Sequence, residues 1–129
     1  MTSEKLIELA EKARERAYAP YSGFCVGAAL LTCDGEVFTG CNIENASYTP
    51  TCCAERVALF SAVSAGKRDF AAIAVVGGKS GEKADKPCYP CGVCRQVLSE
   101  FADASFKVYF ADGTNTTLGE ILPMAFDLK

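Results

Sequence analysis

Apolar side chains recur along the chain with two different periods, and each period predicts one kind of element. Residues 4–17 repeat apolar side chains every three or four positions, which predicts an amphipathic helix closed by Pro20. Residues 54–65 are apolar on all sides, which predicts a buried helix. The remaining predicted elements are strands at residues 26–33, 36–41, 70–76 and 106–111, a helix at 94–102, and a short helix opened by a capping box at 117–120.

The order of these elements predicts the fold class. A helix, a hairpin, a helix, a strand, a helix and a strand follow one another, which indicates an α/β fold with one mixed sheet between layers of helices. The strand at 70–76 is a continuous apolar run, as expected of a central strand covered on both faces. At 129 residues the chain is predicted to form a single domain over 1–129, with a surface loop at 77–89.

Charge and composition narrow the range of partners. The net charge is −3, and the 13 basic residues are spread thinly, so no patch that could follow a phosphate backbone is visible. This pattern argues against a nucleic-acid partner and favours a small uncharged substrate. The first 20 residues lack the apolar core of a signal peptide, and no apolar run approaches membrane-spanning length. We therefore expect a cytoplasmic protein without a membrane partner.

Eight cysteines remain to be explained, and a reducing interior favours metal ligands or packing residues over disulfides. Cys53, Cys91 and Cys94 have a spacing that suits three ligands of one zinc ion, and histidine is absent from the chain. Three protein ligands leave the fourth tetrahedral position open, which is typical of catalytic zinc. Glu55, two residues after the first ligand, is placed to move protons at that position. This pattern is typical of zinc nucleobase and nucleoside deaminases.

The cysteine pattern allows other assignments. Cys88 with Cys53, Cys91 and Cys94 would make a closed four-thiolate structural site, and Cys52 could replace Cys53. A dithiol redox protein is a further alternative. The open site is favoured because Cys91 stands between a proline and a glycine that suit a tight turn into a helix.

Three thiolates around Zn²⁺ leave a net charge of −1, which weakens the metal as a Lewis acid. A cation near the sulfurs would offset that charge. Arg56 follows Glu55 directly, and we predict that it hydrogen-bonds to a ligand sulfur.

The sequence resembles the small homotetrameric zinc-dependent cytidine deaminases over nearly its whole length. The resemblance is carried by four segments: residues 19–24 (APYSGF), 26–30 (VGAAL), 40–46 (GCNIENA) and 91–96 (CGVCRQ). It implies a three-layer sandwich with a five-stranded mixed sheet, and hydrolysis of cytidine and deoxycytidine to uridine and deoxyuridine. Pyrimidine salvage and subunit-interface sites are implied with it. The nearest enzymatic alternative is a deaminase of a modified cytosine nucleoside such as blasticidin S.

The resemblance also implies roles for individual residues. Zinc ligation falls to Cys53, Cys91 and Cys94, and proton transfer to Glu55. The implied substrate-binding positions are Phe24 against the pyrimidine, Asn42 and Glu44 at the ribose hydroxyls, the main chain of Ala54 at the base amide, Tyr48 near the subunit contact, and Phe126 in a neighbouring subunit's site.

Overall fold

The computed structural model describes residues 1–129 and contains one five-stranded sheet and four helices. None of the helices combines the length and apolarity that crossing a membrane requires. In chain order the elements are α1 (Ser3–Arg14), β1 (Phe24–Thr32), β2 (Val37–Cys41), α2 (Ala54–Ser64), β3 (Phe70–Lys79), α3 (Gly92–Ser99), β4 (Lys107–Phe110), β5 (Asn115–Thr117) and α4 (Leu118–Ile121).

The sheet has the strand order β2-β1-β3-β4-β5. Strands β3 and β4 are parallel and are joined through α3, whereas the other neighbouring pairs are antiparallel. Helix α1 packs on one face of the sheet over one apolar cluster. Helices α2, α3 and α4 pack on the other face over a second cluster. The predicted three-layer architecture with a mixed sheet is confirmed.

The central strand β3 is covered on both faces, as its apolar run predicts. Residues 72–76 are all buried, with alternate side chains entering the two clusters. The strand continues beyond the predicted end to Lys79, because β1 begins at Phe24 and pairs with that extension. The first three residues of the loop predicted at 77–89 therefore belong to the strand, and the loop begins after residue 79.

Helix α1 ends at Arg14, three residues before the predicted end. Over residues 15–17 the chain closes turns in which each amide bonds to the carbonyl three residues back. It then enters a backbone pairing, in which the Tyr18 amide donates to the Asn42 carbonyl at 2.9 Å and the Tyr18 carbonyl accepts from the Glu44 amide at 2.9 Å. A residue with both backbone groups in a strand-like bridge cannot continue a helix.

Helix α2 lies against the edge strand β2 at Gly40. A methyl group at that position would lie 2.5 Å from the Ala58 amide nitrogen and 2.6 Å from the Ala54 carbonyl oxygen, so the helix backbone takes the space of a side chain. The prediction that this helix is buried on all sides is wrong for Phe60, which is 48 % exposed.

Candidate zinc site

Two helices begin at the same end of the sheet, and each is preceded by a cysteine at its N-cap. Cys53 occupies the N-cap of α2 and Cys91 that of α3, both with extended backbone and neither with a capping side-chain bond. Cys94 lies within the first turn of α3 and is fully buried. The sulfurs therefore sit at the positive ends of two helix dipoles, which favour the thiolate form.

The three sulfurs converge in a geometry that fits zinc. All three lie within 4.8 Å of one another, with Cys53 Sγ 3.8 Å from Cys91 Sγ and Cys91 Sγ 3.5 Å from Cys94 Sγ. A tetrahedral ion with Zn–S bonds of about 2.3 Å holds its sulfurs about 3.8 Å apart. The donor set is the soft, sulfur-rich one that zinc prefers.

Electrostatic interactions among these groups make Cys53 the thiolate. A hydrogen bond from the Cys94 thiol, together with one from Arg56, lowers the pKa of Cys53 to about 5. The same bond to Cys53, together with burial, raises the pKa of Cys94, so that thiol keeps its proton. A metal ion bound here would displace that proton, because cysteine coordinates as the thiolate.

Glu55 is the buried carboxyl of the site. It lies in the first turn of α2 and is 4 % exposed. Burial, reinforced by the negative charge of Cys53, raises the pKa of Glu55 to about 7. A carboxyl group with this pKa exchanges protons readily near neutral pH.

Arg56 stands where the sequence predicts a compensating cation. Its Nη2 donates to Cys53 Sγ at 3.4 Å. Its hydrogen bond to Cys53, and to a smaller extent its bond to Cys94, raise the pKa of the Arg56 guanidinium, which stays charged.

The other cysteines do not join the three sulfurs. Neither Cys88 nor Cys52 belongs to the group of converging ligand atoms, so a closed four-thiolate site is not formed. Cys52 instead pairs its backbone with Ile43 in an isolated bridge. Burial, together with the negative charges of Glu55 and Cys53, raises the pKa of Cys88 to about 11, so its thiol is neutral.

The amide of Asn42 holds the start of strand β1. Its Oδ1 accepts from the Val26 amide at 2.9 Å, and its Nδ2 donates to the Phe24 carbonyl at 2.8 Å. One N–H and one lone pair of the side chain remain available. The sugar-binding role of Asn42 stays a prediction.

Glu44 lies in an open cleft of about 410 Å³ lined by Tyr21, Ser22, Glu44, Tyr48 and Thr51. Its carboxylate accepts from the amides of Tyr21 and Ser22 at 2.9 and 3.1 Å and from the Ser22 hydroxyl. The hydrogen bond from the Ser22 hydroxyl is the main cause of the lowered pKa of Glu44. Tyr48, 73 % exposed, has a positive φ of 64°, an uncommon conformation for a tyrosine, and its ring meets Tyr21 edge-on.

The remaining predicted substrate positions lie at different depths. Phe24 opens β1 and is part-exposed, whereas Ala54 is fully buried at the first position of α2. The first amides of a helix have no acceptor within it, so the Ala54 amide is free for another partner. The Phe126 ring is mostly exposed, and its carbonyl accepts from Gln96 Nε2 at 3.0 Å.

Arg95 supports the metal site and was not predicted. Its Nε donates to the Pro90 carbonyl at 2.7 Å and its Nη1 to the Ile121 carbonyl at 2.8 Å, while its amide donates to the Cys91 carbonyl at 3.0 Å. One residue thus holds both peptide groups that flank Cys91. An arginine inside a helix gives no sequence signal for such a role.

The sequence matches, over residues 1–111, the family described as cytidine and deoxycytidylate deaminase zinc-binding region. A cytidine deaminase from Sporosarcina psychrophila is 52 % identical over 130 residues, covering 98 % of this chain and 92 % of that protein. A blasticidin-S deaminase from Bacillus cereus is 34 % identical over 131 residues, covering 96 % and 94 %. A crystal structure of cytidine deaminase from Burkholderia pseudomallei has a TM-score of 0.88 and 55 % identity, covering 98 % of this chain and 100 % of that one.

The chain belongs to the cytidine and deoxycytidylate deaminase zinc-binding family. Its fold is that of the Burkholderia structure, and the convergence of three cysteine sulfurs agrees with the zinc-binding character of the family.

Proposed function

We propose that this protein deaminates cytidine and deoxycytidine to uridine and deoxyuridine by hydrolysis, with release of ammonia. Residues 1–129 make up the catalytic domain, which uses one zinc ion held by Cys53, Cys91 and Cys94. When bound there, zinc supplies the Lewis acidity that makes a water molecule reactive near neutral pH.

The observation that carries this proposal is the buried Glu55 carboxyl beside three converging sulfurs. With a pKa of about 7, Glu55 both accepts and releases protons near neutrality. In this reaction it takes a proton from the attacking water and delivers it to N3 of the pyrimidine. Glu55 then takes the proton of the new C4 hydroxyl group and delivers it to the amine, so that the C4–N bond breaks, ammonia leaves and a C4 carbonyl remains.

The neighbouring residues suit recognition of a neutral nucleoside. The Phe24 ring lies against the pyrimidine, and the Ala54 main chain meets the base amide. Asn42 and Glu44 hold the ribose hydroxyls. Glu44 is ionised, and a carboxylate has about four acceptor positions, of which the chain uses three.

We also propose a homotetramer with its sites at subunit interfaces. Large apolar side chains are exposed near the Glu44 cleft and the C-terminal segment, and exposed apolar patches mark interaction surfaces. These side chains are Tyr18, Tyr21, Ile43, Tyr48, Met124 and Phe126. Tyr48 and Phe126 would reach a neighbouring subunit. Analytical ultracentrifugation tests this, since a monomer at micromolar concentration would contradict it.

No disulfide joins any of the eight cysteines, as in proteins of reducing compartments. This supports a cytoplasmic enzyme of pyrimidine salvage. The thinly spread basic residues support the absence of a nucleic-acid partner.

The decisive experiment is to add cytidine to purified protein and follow the loss of aminopyrimidine absorbance. We expect turnover that is lost on chelation and restored by zinc. Blasticidin S is the parallel substrate, because the Bacillus cereus relative is named for it. Turnover of blasticidin S without turnover of cytidine would contradict the proposal and favour that second activity.

A further inference from the structure

One side of the site is built where strand β3 ends. Gly77 lies on the face of the sheet that carries α2 and α3, as do Ile73 and Val75. A methyl group at Gly77 would lie 2.6 Å from Cys88 Sγ and 3.0 Å from Phe24 Cε2. The bare backbone of Gly77 therefore lets the Cys88 thiol and the Phe24 ring lie side by side against the strand.

Cys88 is close to the catalytic groups without being one of them. The thiol is half-buried and packs against the apolar cluster under α2, and Glu55 and Cys53 are the negative groups that act on it. Its sulfur is not among the three that converge. Cys88 thus offers a neutral, polarisable surface beside Glu55, and sulfur contacts aromatic rings favourably.

The cytosine ring has two chemically different edges. The carbonyl, N3 and the amino group need polar partners, and Glu55 serves N3 in the proposed reaction. The C5–C6 edge is apolar and needs an apolar wall. Resting on the function proposed above, we propose that Cys88, in the space that Gly77 leaves free, faces the C5–C6 edge. Together with Phe24 it determines which C5 substituents the site accepts.

The test compares kcat/KM for 5-methylcytidine with that for cytidine in zinc-loaded wild type, Cys88→Ala and Cys88→Leu. One methylene in an apolar pocket changes kcat/KM about 10–200-fold. Cys88→Ala should raise the ratio of kcat/KM for 5-methylcytidine to kcat/KM for cytidine about tenfold or more. Cys88→Leu should lower this ratio by a similar factor. Cys33→Ala is the control, because Cys33 is exposed at the hairpin turn.

A ratio that stays within about twofold of wild type in both variants would overturn the assignment. Loss of zinc from Cys88→Ala would also overturn it, because the residue would then belong to the metal site. A wild type that binds zinc but leaves cytidine unchanged would refute the proposed function instead. Calorimetry of uridine and 5-methyluridine binding to the same variants then tests the contact between Cys88 and the C5–C6 edge independently of turnover.

A second pair of variants tests the contact at Gly77. Gly77→Ala places a methyl group against Cys88 Sγ and should lower both the melting temperature and kcat/KM for cytidine. Removing the sulfur in Gly77→Ala/Cys88→Ala should restore part of both losses, because residues in contact are not additive. The Phe24 contact at 3.0 Å limits this rescue. A double variant no better than Gly77→Ala would overturn the packing on which the proposal stands.

Discussion

Arg56 Nη2 donates a hydrogen bond to Cys53 Sγ at 3.4 Å. The Nε of the same guanidinium is buried and has no acceptor, which is rare for a buried donor. The sulfurs of Cys53 and Cys94 are the groups that hold this cation. We conclude that the sulfur cluster, and not a carboxylate, determines where Arg56 lies.

Arg56→Gln should therefore reduce turnover much more than it raises KM. Without the cation the thiolate charge is less well compensated, and activation of the attacking water becomes harder. The pH at which activity rises should move upward. Zinc content is measured beside the pH–rate profile, with Arg68→Gln as the control, because Arg68 is exposed beyond the far end of α2. An unchanged pH–rate profile with full zinc content would show that Arg56 does not compensate the thiolate charge.

Replacing any one of Cys53, Cys91 and Cys94 by serine should remove zinc and activity together, because the convergence of sulfurs needs all three. Purified wild type should contain about one zinc per chain, measured by atomic emission. Cys52→Ser and Cys88→Ser serve as controls that should keep the metal. Zinc loss from Cys88→Ser equal to that of the other three would support a closed four-thiolate site.

Glu55→Gln keeps the shape of the side chain but cannot exchange protons. Turnover should fall by about 10²–10⁴-fold, the usual contribution of general acid–base catalysis, while zinc content stays the same. Steady-state rates on cytidine with parallel zinc analysis provide the measurement. Near-normal turnover would show that another group moves the protons.

The raised pKa of Glu55 also predicts a pH dependence of stability. Between the ordinary value of 4.5 and about 7, the native state of this carboxyl holds more protons than the unfolded state. The free energy of unfolding should therefore fall as pH rises through about 7. In zinc-depleted protein, the advantage of Glu55→Gln over wild type in melting temperature should be larger at about pH 8 than at about pH 5. An advantage independent of pH would contradict the raised pKa.

Gly40→Ala should destabilise the fold, because the new methyl group meets the α2 backbone at 2.5 Å. Overfilling a packed contact costs about 1–3 kcal/mol, or several degrees in melting temperature. Gly92→Ala is the matched control, since nothing lies within 4 Å of a methyl group at that position. Equal melting temperatures for the two variants would show that α2 can move away from β2.

The fold was predicted where elements are long and periodic, and missed where they are short or polar. Strand β5 is three polar residues, Asn115–Thr117, so no alternation reveals it, and the five-strand count came from resemblance. Helix α3 begins at Gly92, two residues before the predicted start, because its first turn carries the ligands and lacks an apolar stripe. The existence of β5 and the start of α3 both depend on hydrogen bonds, which apolar periodicity does not reveal.

The residues of the site likewise differ in whether the sequence predicts them. Cys53 and Glu55 stand two residues apart and Cys91 and Cys94 three, so their chemistry is visible in local spacing. The packing of Phe24 and Cys88 over Gly77 joins three distant segments and cannot be read from spacing. The two adjacent glycines at the end of β3 were the available signal, since glycine late in a strand often marks close approach.

The two N-cap cysteines that meet at the end of the sheet lie 38 residues apart in sequence. A zinc ion held between them would act as a cross-link that closes a long loop containing α2 and β3. By the entropy rule for cross-links, closing a loop of this length restricts the unfolded chain by roughly 4 kcal/mol. Losing the metal would therefore lower the free energy of unfolding as well as remove the proposed activity.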